Sequence, residues 1–220
     1  MISRLIRAAA LFATLAIVSS GCTSGGGASP SVASSVASSA AAPSGGSSCP
    51  TVEPAALPAG ETRTVTISTN LGDIVIGIKA DLSPIAAGNF VALAQCGFYD
   101  GVGFHRLVPG FVIQGGDPDG TGTGGPGYTI ADEPVTETYA RGVVAMARTQ
   151  QPDSVGSQFF IVLDDEARGA LESANTYQII GTVTGGMDTV DAIAATPNSG
   201  EPNNAAIDPV VMTDVSVSNP

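Results

Sequence analysis

The stretch FHRLVPGFVIQGGD (residues 104–117) places the only histidine of the chain, His105, directly before Arg106, at the head of an apolar run. The run ends in Gln114, two glycines and an aspartate. A charged side chain next to a buried strand is costly unless it is paired or used. Because the chain has only 8 basic residues, this stretch is the first candidate for a functional site.

The segments on both sides of this stretch alternate between short apolar runs and loops rich in glycine, proline and aspartate. TRTVTIST (62–69) alternates as a half-buried strand does, and IVIGIK (74–79) follows after a turn, which predicts a hairpin. Further strands are predicted in the remaining apolar runs. These runs occupy residues 111–114, 142–147, 157–163, 178–184 and 209–217.

Two helices are predicted. Ser83 and Pro84 offer an N-cap and a first-turn proline for a helix over 85–96, which ends before Gly97. The second helix is predicted over 187–195. Many short strands with only two helices favour a mainly β fold, as a closed antiparallel barrel or a sandwich.

The first 21 residues have the pattern of a secretory signal peptide: two arginines, an apolar core over 8–18, and small residues leading to Cys22. Small residues before a cysteine resemble the lipobox of bacterial lipoproteins, whose cysteine carries acyl chains such as palmitate. Ser19 stands where that motif usually has leucine. The alternative is an ordinary secretory signal that leaves a free thiol at Cys22. Both interpretations predict export.

The organisation that follows is a signal peptide over 1–21, a linker over 22–60 and one globular domain over 61–220. The linker is rich in Ser, Gly and Ala, and its residues 23–48, which carry no charge, cannot bury enough apolar surface to fold. With lipid on Cys22, it would hold the domain at the outer face of the cell membrane, and two acyl chains suffice for stable anchoring.

The acidic composition of the chain excludes one class of binding partner. The formal net charge is −12 before the two signal-peptide arginines are removed, which argues against nucleic acid as a partner.

If Cys22 is lipidated, Cys49 and Cys96 remain as an even pair in an oxidising compartment, and a disulfide between them is predicted. The alternative is two separate thiols, with Cys96 buried at a helix end.

The stretch 104–117 resembles the cyclophilins, a family of peptidyl-prolyl cis–trans isomerases. The similarity continues in family order through five further segments. These are SPIAAGNFVAL (83–93), GTGTGGPGY (120–128), GVVAMAR (142–148), GSQFFI (156–161) and IIGTVTGGMDTVDAI (179–193). The resemblance implies a closed eight-stranded antiparallel barrel capped by two helices, a monomer, and an isomerase of Xaa–Pro bonds that needs no metal or cofactor.

Within this resemblance, three residues are implied to carry catalysis. Arg106 would hydrogen-bond the twisted amide, a role that suits a rigid, permanently charged fork of donors. Gln114 would hold the arginine, and Phe111 would form a wall of the proline pocket. Residues 120–125 (GTGTGG) are interpreted as a loop, because they lack the lysine and the strand-to-helix setting of a phosphate-binding motif.

The resemblance also implies a set of substrate-binding residues around a proline pocket and the neighbouring backbone. They are His105, Val112, Ala147, Arg148, Gln158, Phe160, Leu171 and Tyr177. His105 is expected to line the site without acting as a general base, and Leu171 to lie on the pocket rim. Tyr177 takes the place of a histidine that the family usually has.

The expected partners are proline-containing segments of exported proteins and, through the lipid anchor, the membrane. Weak binding of cyclosporin is expected, because the chain has no tryptophan and Ala170 lies near the position where many cyclophilins have one. The alternative function is a non-catalytic chaperone lipoprotein that binds prolyl peptides. A serine hydrolase is disfavoured, since no Gly-x-Ser-x-Gly turn is present.

Overall fold

The computed structural model describes residues 48–219. The predicted signal peptide, the lipidation site at Cys22 and the linker up to residue 47 lie outside the described residues. No helix within 48–219 combines the length and the apolar character that crossing a membrane requires.

Eight strands form a single sheet in which every pairing is antiparallel. They are β1 (Thr62–Thr69), β2 (Gly72–Lys79), β3 (Arg106–Val108), β4 (Val112–Gly115), β5 (Val143–Met146), β6 (Phe159–Val162), β7 (Ile179–Gly185) and β8 (Met212–Ser218). Their order in the sheet is β3-β4-β6-β5-β7-β2-β1-β8. The predicted mainly β, antiparallel, eight-stranded architecture is confirmed.

The predicted closure of the barrel is wrong, because the sheet is an open half-barrel whose edge strands are β3 and β8. Irregular segments span the gap between these edges. Leu107 N donates to Asn204 O (2.8 Å), and Phe104 N donates to Val210 O (2.9 Å). A regular ladder does not form there, since β3 has only three residues and Pro209, in the segment before β8, has no N–H to donate.

The strand predicted over 111–114 is present as β4, and β3, which was not predicted, pairs with it as a hairpin. β3 and β4 are joined by a turn at Pro109 and Gly110, and Gly110 has a φ of 69°, a conformation that residues with a Cβ rarely adopt. Arg106 and Gln114 therefore stand at the two open ends of the hairpin, directly opposite each other.

Within the described part of the chain, three α-helices pack against the sheet. α1 (Pro84–Gln95) and α3 (Met187–Ala194) agree with the predictions to within one residue at each end. α2 (Arg168–Ala174), which follows a 3₁₀ turn at Asp165–Ala167, was not predicted. A seven-residue helix is not stable alone. Its one buried residue, Leu171, packs against the sheet, and that contact supplies the missing stability.

The predicted capping of α1 by Ser83 is wrong in its chemistry. Ser83 occupies the N-cap position, but its side chain makes no capping hydrogen bond. The carboxylate of Glu133 instead accepts hydrogen bonds from Ile85 N and Ala86 N, each at 2.9 Å. An acidic side chain at a helix N-terminus is stabilising, so this contact fixes the start of α1 to the chain near Glu133.

The strands at the centre of the sheet are buried on both faces. One face carries Ile113, Phe159 and Ile161, which belong to the main core beneath α1. The opposite face carries Val112 and Phe160, together with Val143, Ala145, Val162 and Ile179, and forms a second apolar cluster. Burial on both faces explains why β6 is the uninterrupted apolar run FFIV.

The predicted disulfide between Cys49 and Cys96 is present, and it fastens the segment before β1 to the end of α1. Farther along this segment, Leu57 is buried and its N–H donates to Pro84 O (2.9 Å). Gly88 permits the close approach, since a Cβ there would lie 2.4 Å from Ala55 O. Residues 49–57 therefore lie along α1 as part of the packed domain.

Candidate functional site

A row of residues crosses three adjacent strands and joins the predicted catalytic residues to the second apolar cluster. Arg106 on β3 is opposite Gln114 on β4, and Gln114 is opposite Phe160 on β6. Residues directly opposite in an antiparallel sheet project from the same face. The sheet register therefore places the guanidinium, the amide and the aromatic ring side by side.

Hydrogen bonds connect this row to the glycine-rich loop. Arg106 Nη1 donates to Gln114 Oε1 (3.4 Å), Gln114 Nε2 donates to Gln158 Oε1 (2.9 Å), and Gln158 Nε2 donates to the backbone carbonyl of Gly124 (2.9 Å). Within residues 48–219, Arg106 forms no ion pair. Since a guanidinium carries five N–H donors, most of its donors remain available to a ligand.

The apolar residues predicted for the proline pocket all belong to the second cluster. Val112, Phe160 and Leu171 are buried in it, and Phe111 and Tyr177 pack against it partly exposed. The rings of Phe160 and Tyr177 meet edge to face, with their centroids 5.3 Å apart. Leu171, predicted on the pocket rim, is only 4% exposed, as Phe160 is, and it packs α2 against the sheet.

Two clefts meet at Gln114 and Gly122, which line both of them. The first, of about 780 Å³, is lined by Ala147, Arg148 and Gln158 and by much of the loop 119–129. The second, of about 460 Å³, is lined by residues on the far side of Gln114. They are His105, Arg106, Gly120, Thr121, Pro202, Asn203 and Ala205. The five apolar residues line neither cleft and belong together to the second cluster.

The side chain of Arg148 is committed to the surrounding loops. Its guanidinium pairs with Asp132 (2.8 Å) and donates to Thr149 O (3.1 Å) and Gln151 O (2.6 Å), and only 8% of the side chain is exposed. Ala147 N donates to Gln158 O (2.8 Å). Both residues thus form the wall of the first cleft, and Arg148 does not present a free charge to it.

His105 is 7% exposed, and neither ring nitrogen has a hydrogen-bond partner among the described residues. Burial lowers the pKa of the imidazole below its ordinary value; the charge of Arg106 lowers it further, and that of Asp117 opposes the change. The ring is therefore neutral at neutral pH and adds no charge next to Arg106.

Asp117, for which the sequence predicted no role, fixes the loop shared by the two clefts. Its carboxylate accepts hydrogen bonds from Asp119 N (2.8 Å), Gly122 N (2.5 Å) and Gly124 N (3.2 Å). Burial alone would raise the pKa of this carboxyl group, but the three backbone N–H groups hold it below its ordinary value. An aspartate three residues before a glycine-rich run was the available signal, since aspartate often bonds the backbone that follows it.

The loop over 120–125 contains neither helix nor strand, as predicted. In the described part of the chain, no group of three or more His, Cys, Asp or Glu side chains could hold a metal ion.

Comparison with known proteins gives one consistent family. The family described as cyclophilin type peptidyl-prolyl cis-trans isomerase/CLD matches residues 64–217. A probable peptidyl-prolyl cis-trans isomerase A of Mycobacterium leprae is 38% identical over 177 residues, which covers 72% of this chain and 93% of the relative. A peptidyl-prolyl cis-trans isomerase of Acinetobacter baylyi is 39% identical over 162 residues, covering 70% and 85% of the two chains.

Solved structures give the same result. A crystal structure of a Cryptosporidium parvum cyclophilin type peptidyl-prolyl cis-trans isomerase matches with a TM-score of 0.63 and 33% identity, covering 72% of this chain and 99% of that one. A second structure of the same isomerase, in the presence of the dipeptide Ala-Pro, matches with a TM-score of 0.63 and 32% identity, covering 71% and 99%.

Proposed function

The chain belongs to the cyclophilin family of peptidyl-prolyl cis–trans isomerases, and on that premise we propose that it accelerates Xaa–Pro rotation in exported proteins through Arg106. The barrier to this rotation is about 18–20 kcal/mol, because the C–N bond has partial double-bond character. Uncatalysed exchange takes tens to hundreds of seconds, slow enough to limit folding.

The observation that carries the proposal is the setting of Arg106, a guanidinium held by the neutral amide of Gln114 and free of ion pairs among the described residues. As the prolyl amide twists, conjugation breaks and the nitrogen lone pair becomes a hydrogen-bond acceptor. A guanidinium donor interacts more strongly with this twisted amide than with the planar ground state, which lowers the barrier. A neutral partner for Arg106 leaves its positive charge available for this purpose.

The second apolar cluster supplies the place for the proline ring. Phe111 and Tyr177 pack, partly exposed, against the cluster that contains Phe160, and Phe160 shares a cross-strand row with Gln114 and Arg106. Aromatic walls suit an apolar ring, and a few polar groups suffice to fix its orientation. The relative crystallised in the presence of Ala-Pro supports prolyl peptides as the ligands of this site.

The proposal extends to the location of the enzyme: a lipid on Cys22 would anchor it to the outer face of the cell membrane. The signal-like residues 1–21 and the uncharged spacer after Cys22 support this location. The disulfide between Cys49 and Cys96 supports an oxidising compartment. Mass spectrometry of the mature N-terminus tests it: a diacylated Cys22 is expected, and a Cys22→Ser variant should leave the membrane fraction. An unmodified Cys22 thiol would overturn the anchor but not the activity.

Exchange NMR of an Xaa–Pro peptide tests the activity. The protein should accelerate cis–trans exchange, and Arg106→Ala should reduce the acceleration by about 10²–10³-fold, the usual loss for one transition-state donor. Arg63→Ala is the matched control, because Arg63 is paired with Glu61 and lines neither cleft. If the unmodified protein binds the peptide without accelerating its exchange, the function is that of a non-catalytic prolyl-peptide chaperone.

A further inference from the structure

We propose that Asp117 is a positioning residue for the isomerisation, because it fixes the glycine-rich loop whose carbonyl at Gly124 orients the hydrogen-bond chain ending at Arg106. The inference rests on the proposed role of Arg106. Asp117 itself is 1% exposed and lines neither cleft, so it acts through other residues and touches no substrate.

Asp117 holds the loop from both its side chain and its backbone. The carboxylate accepts hydrogen bonds from the N–H groups of Asp119, Gly122 and Gly124, and the backbone carbonyl accepts one from Gly120 N (3.2 Å). Hydrogen bonds to an ionised carboxylate are roughly twice as strong as neutral ones. In the described residues, Asp117 has no basic side chain as an ion-pair partner. The loop amides are therefore the groups that stabilise this buried charge.

The loop has little conformational preference of its own. Four of its six residues over 120–125 are glycine, which has wide backbone freedom. The hydrogen bonds that its own side chains form are local, between Thr121 and Thr123. Gly124 lies so close to the carboxylate that a Cβ there would be 2.0 Å from Asp117 Oδ1. The position of the Gly124 carbonyl therefore follows from Asp117.

That carbonyl determines the orientation of the two glutamine amides. A carbonyl can only accept a hydrogen bond, so Gln158 must turn its NH₂ group toward Gly124. Its oxygen then faces Gln114, which must donate with its own NH₂ group. The oxygen of Gln114 is thereby left facing the guanidinium of Arg106, which can only donate. An acceptor at one end and a donor at the other select a single orientation for both amides.

Without the Gly124 carbonyl, this selection weakens. Gln158 can rotate its amide, and Gln114 can then turn its NH₂ group toward Arg106, where two donors face each other. The guanidinium would lose its one side-chain partner in the described residues and sample several positions. Because a catalytic donor must be positioned before the transition state is reached, this disorder should reduce kcat.

The test combines kinetics with a direct probe of Arg106. Asp117→Asn keeps the shape but turns an NH₂ group toward loop N–H groups, so the loop should be released. We expect kcat to fall by about 10-fold, with a smaller change in KM. This fall is less than the 10²–10³-fold expected for complete loss of a catalytic donor. The side-chain ¹⁵N resonance of Arg106, assigned with Arg106→Lys, should shift and broaden.

Two further variants make the result decisive. Gly124→Ala introduces the Cβ that overlaps Asp117 and should reproduce both effects, and it replaces Asp117→Asn as the test if that variant does not fold. Asp100→Asn is the control, because this carboxylate also accepts a backbone hydrogen bond, from Val215 N (2.9 Å), but lines neither cleft. It should leave the Arg106 resonance unchanged, even if it lowers the melting temperature.

The outcomes separate this inference from the proposed function. Normal kcat and an unchanged Arg106 resonance in folded Asp117→Asn or Gly124→Ala would overturn the positioning role. Full activity of Arg106→Ala would instead overturn the role of the arginine. The resonance of Arg106 reports on the hydrogen-bond chain in either case, since it does not depend on activity.

Discussion

Arg106 and Gln114 face each other across the β3–β4 hairpin, with Arg106 Nη1 donating to Gln114 Oε1 at 3.4 Å. This distance is long for a hydrogen bond, so the contact orients the guanidinium while engaging only part of its donor capacity. A carboxylate in place of the amide would bind the same cation far more strongly and compete with the substrate. The neutrality of Gln114 is therefore a feature of the site.

Gln114→Glu should lower kcat/KM by about 10-fold, since the new carboxylate pairs with Arg106 and can no longer donate to Gln158. Protease-coupled or NMR exchange assays measure the rate, and circular dichroism checks the fold. Gln151→Glu adds the same charge at an exposed position that lines neither cleft and should have no effect. Equal activity of Gln114→Glu and the parent would show that the charge of the partner is immaterial.

The stability of the protein should depend on pH through its single histidine. The ordinary pKa of 6.5 is lowered in the folded protein, chiefly by the burial of His105. Below pH 6.5 the unfolded chain therefore binds a proton that the folded chain does not. The free energy of unfolding should be highest above that pH and should fall as the pH is lowered. Below the folded-state pKa, His105 contributes no further decrease.

Urea unfolding at pH 7.5, 6.5 and 5.5 measures this dependence, and His105→Gln provides the comparison. The variant should show a shallower slope, because the chain has no other histidine. Identical slopes for the two proteins would contradict a lowered pKa at His105.

Removing the disulfide should reduce stability and leave the activity unchanged. The bond between Cys49 and Cys96 closes a loop with a sequence separation of 47, for which the loss of native cross-linking typically costs about 2–4 kcal/mol. Neither cysteine lines a cleft. The Cys49→Ser/Cys96→Ser variant should therefore unfold at lower urea concentration with kcat/KM within about two-fold. A large fall in activity of the folded variant would contradict the view that the disulfide acts on stability alone.

Substituting alanine for glycine should change the stability of the protein in opposite directions at two helical positions. Gly88→Ala on α1 should destabilise the protein by about 1–3 kcal/mol, because the new Cβ overlaps the backbone of residues 55–57. Gly169→Ala on α2 meets nothing within 4 Å and should stabilise it by about 0.5–1 kcal/mol through helix propensity. Calorimetric melting temperatures distinguish the two, and a stabilising Gly88→Ala would show that residues 49–57 do not pack as described.

Cyclosporin should bind weakly, with a dissociation constant above about 1 µM. This corresponds to a binding free energy weaker than about −8.2 kcal/mol. The chain has no tryptophan, and Ala170 is an exposed residue of α2, with no indole N–H to donate. Ala170→Trp should tighten binding and also provides a fluorescent reporter for the titration, while Ala174→Trp on the same helix serves as the control. Submicromolar affinity of the parent would contradict the prediction.

Much of the fold was predictable because its signals are local. The alternation in β1, the proline at the start of α1 and the apolar pattern of α3 depend on neighbours within a few residues, and the structure has these elements near their predicted bounds. Arg106 and Gln114 are eight positions apart, but only the β3–β4 hairpin, which was not predicted, brings them opposite each other.

The remaining features depend on contacts between residues distant in sequence. Helix α2 is too short to be stable without the packing of Leu171, and α1 is capped by Glu133, whose hydrogen bond to Ile85 spans 48 residues. The open edge between β3 and β8 depends on how the chain before β8 returns to the hairpin.

The sequence by itself therefore determined most of the regular elements and the family to which the motif around Arg106 is similar, and it predicted the disulfide with separate thiols as the alternative. Only the tertiary structure decided that the half-barrel stays open, that Leu171 is buried, and that Asp117 holds the loop whose carbonyl orients Gln158. The physical reason is that periodicity and turn chemistry act along the chain. The burial of a charge and the direction of a side-chain hydrogen bond depend on groups that only folding brings into contact.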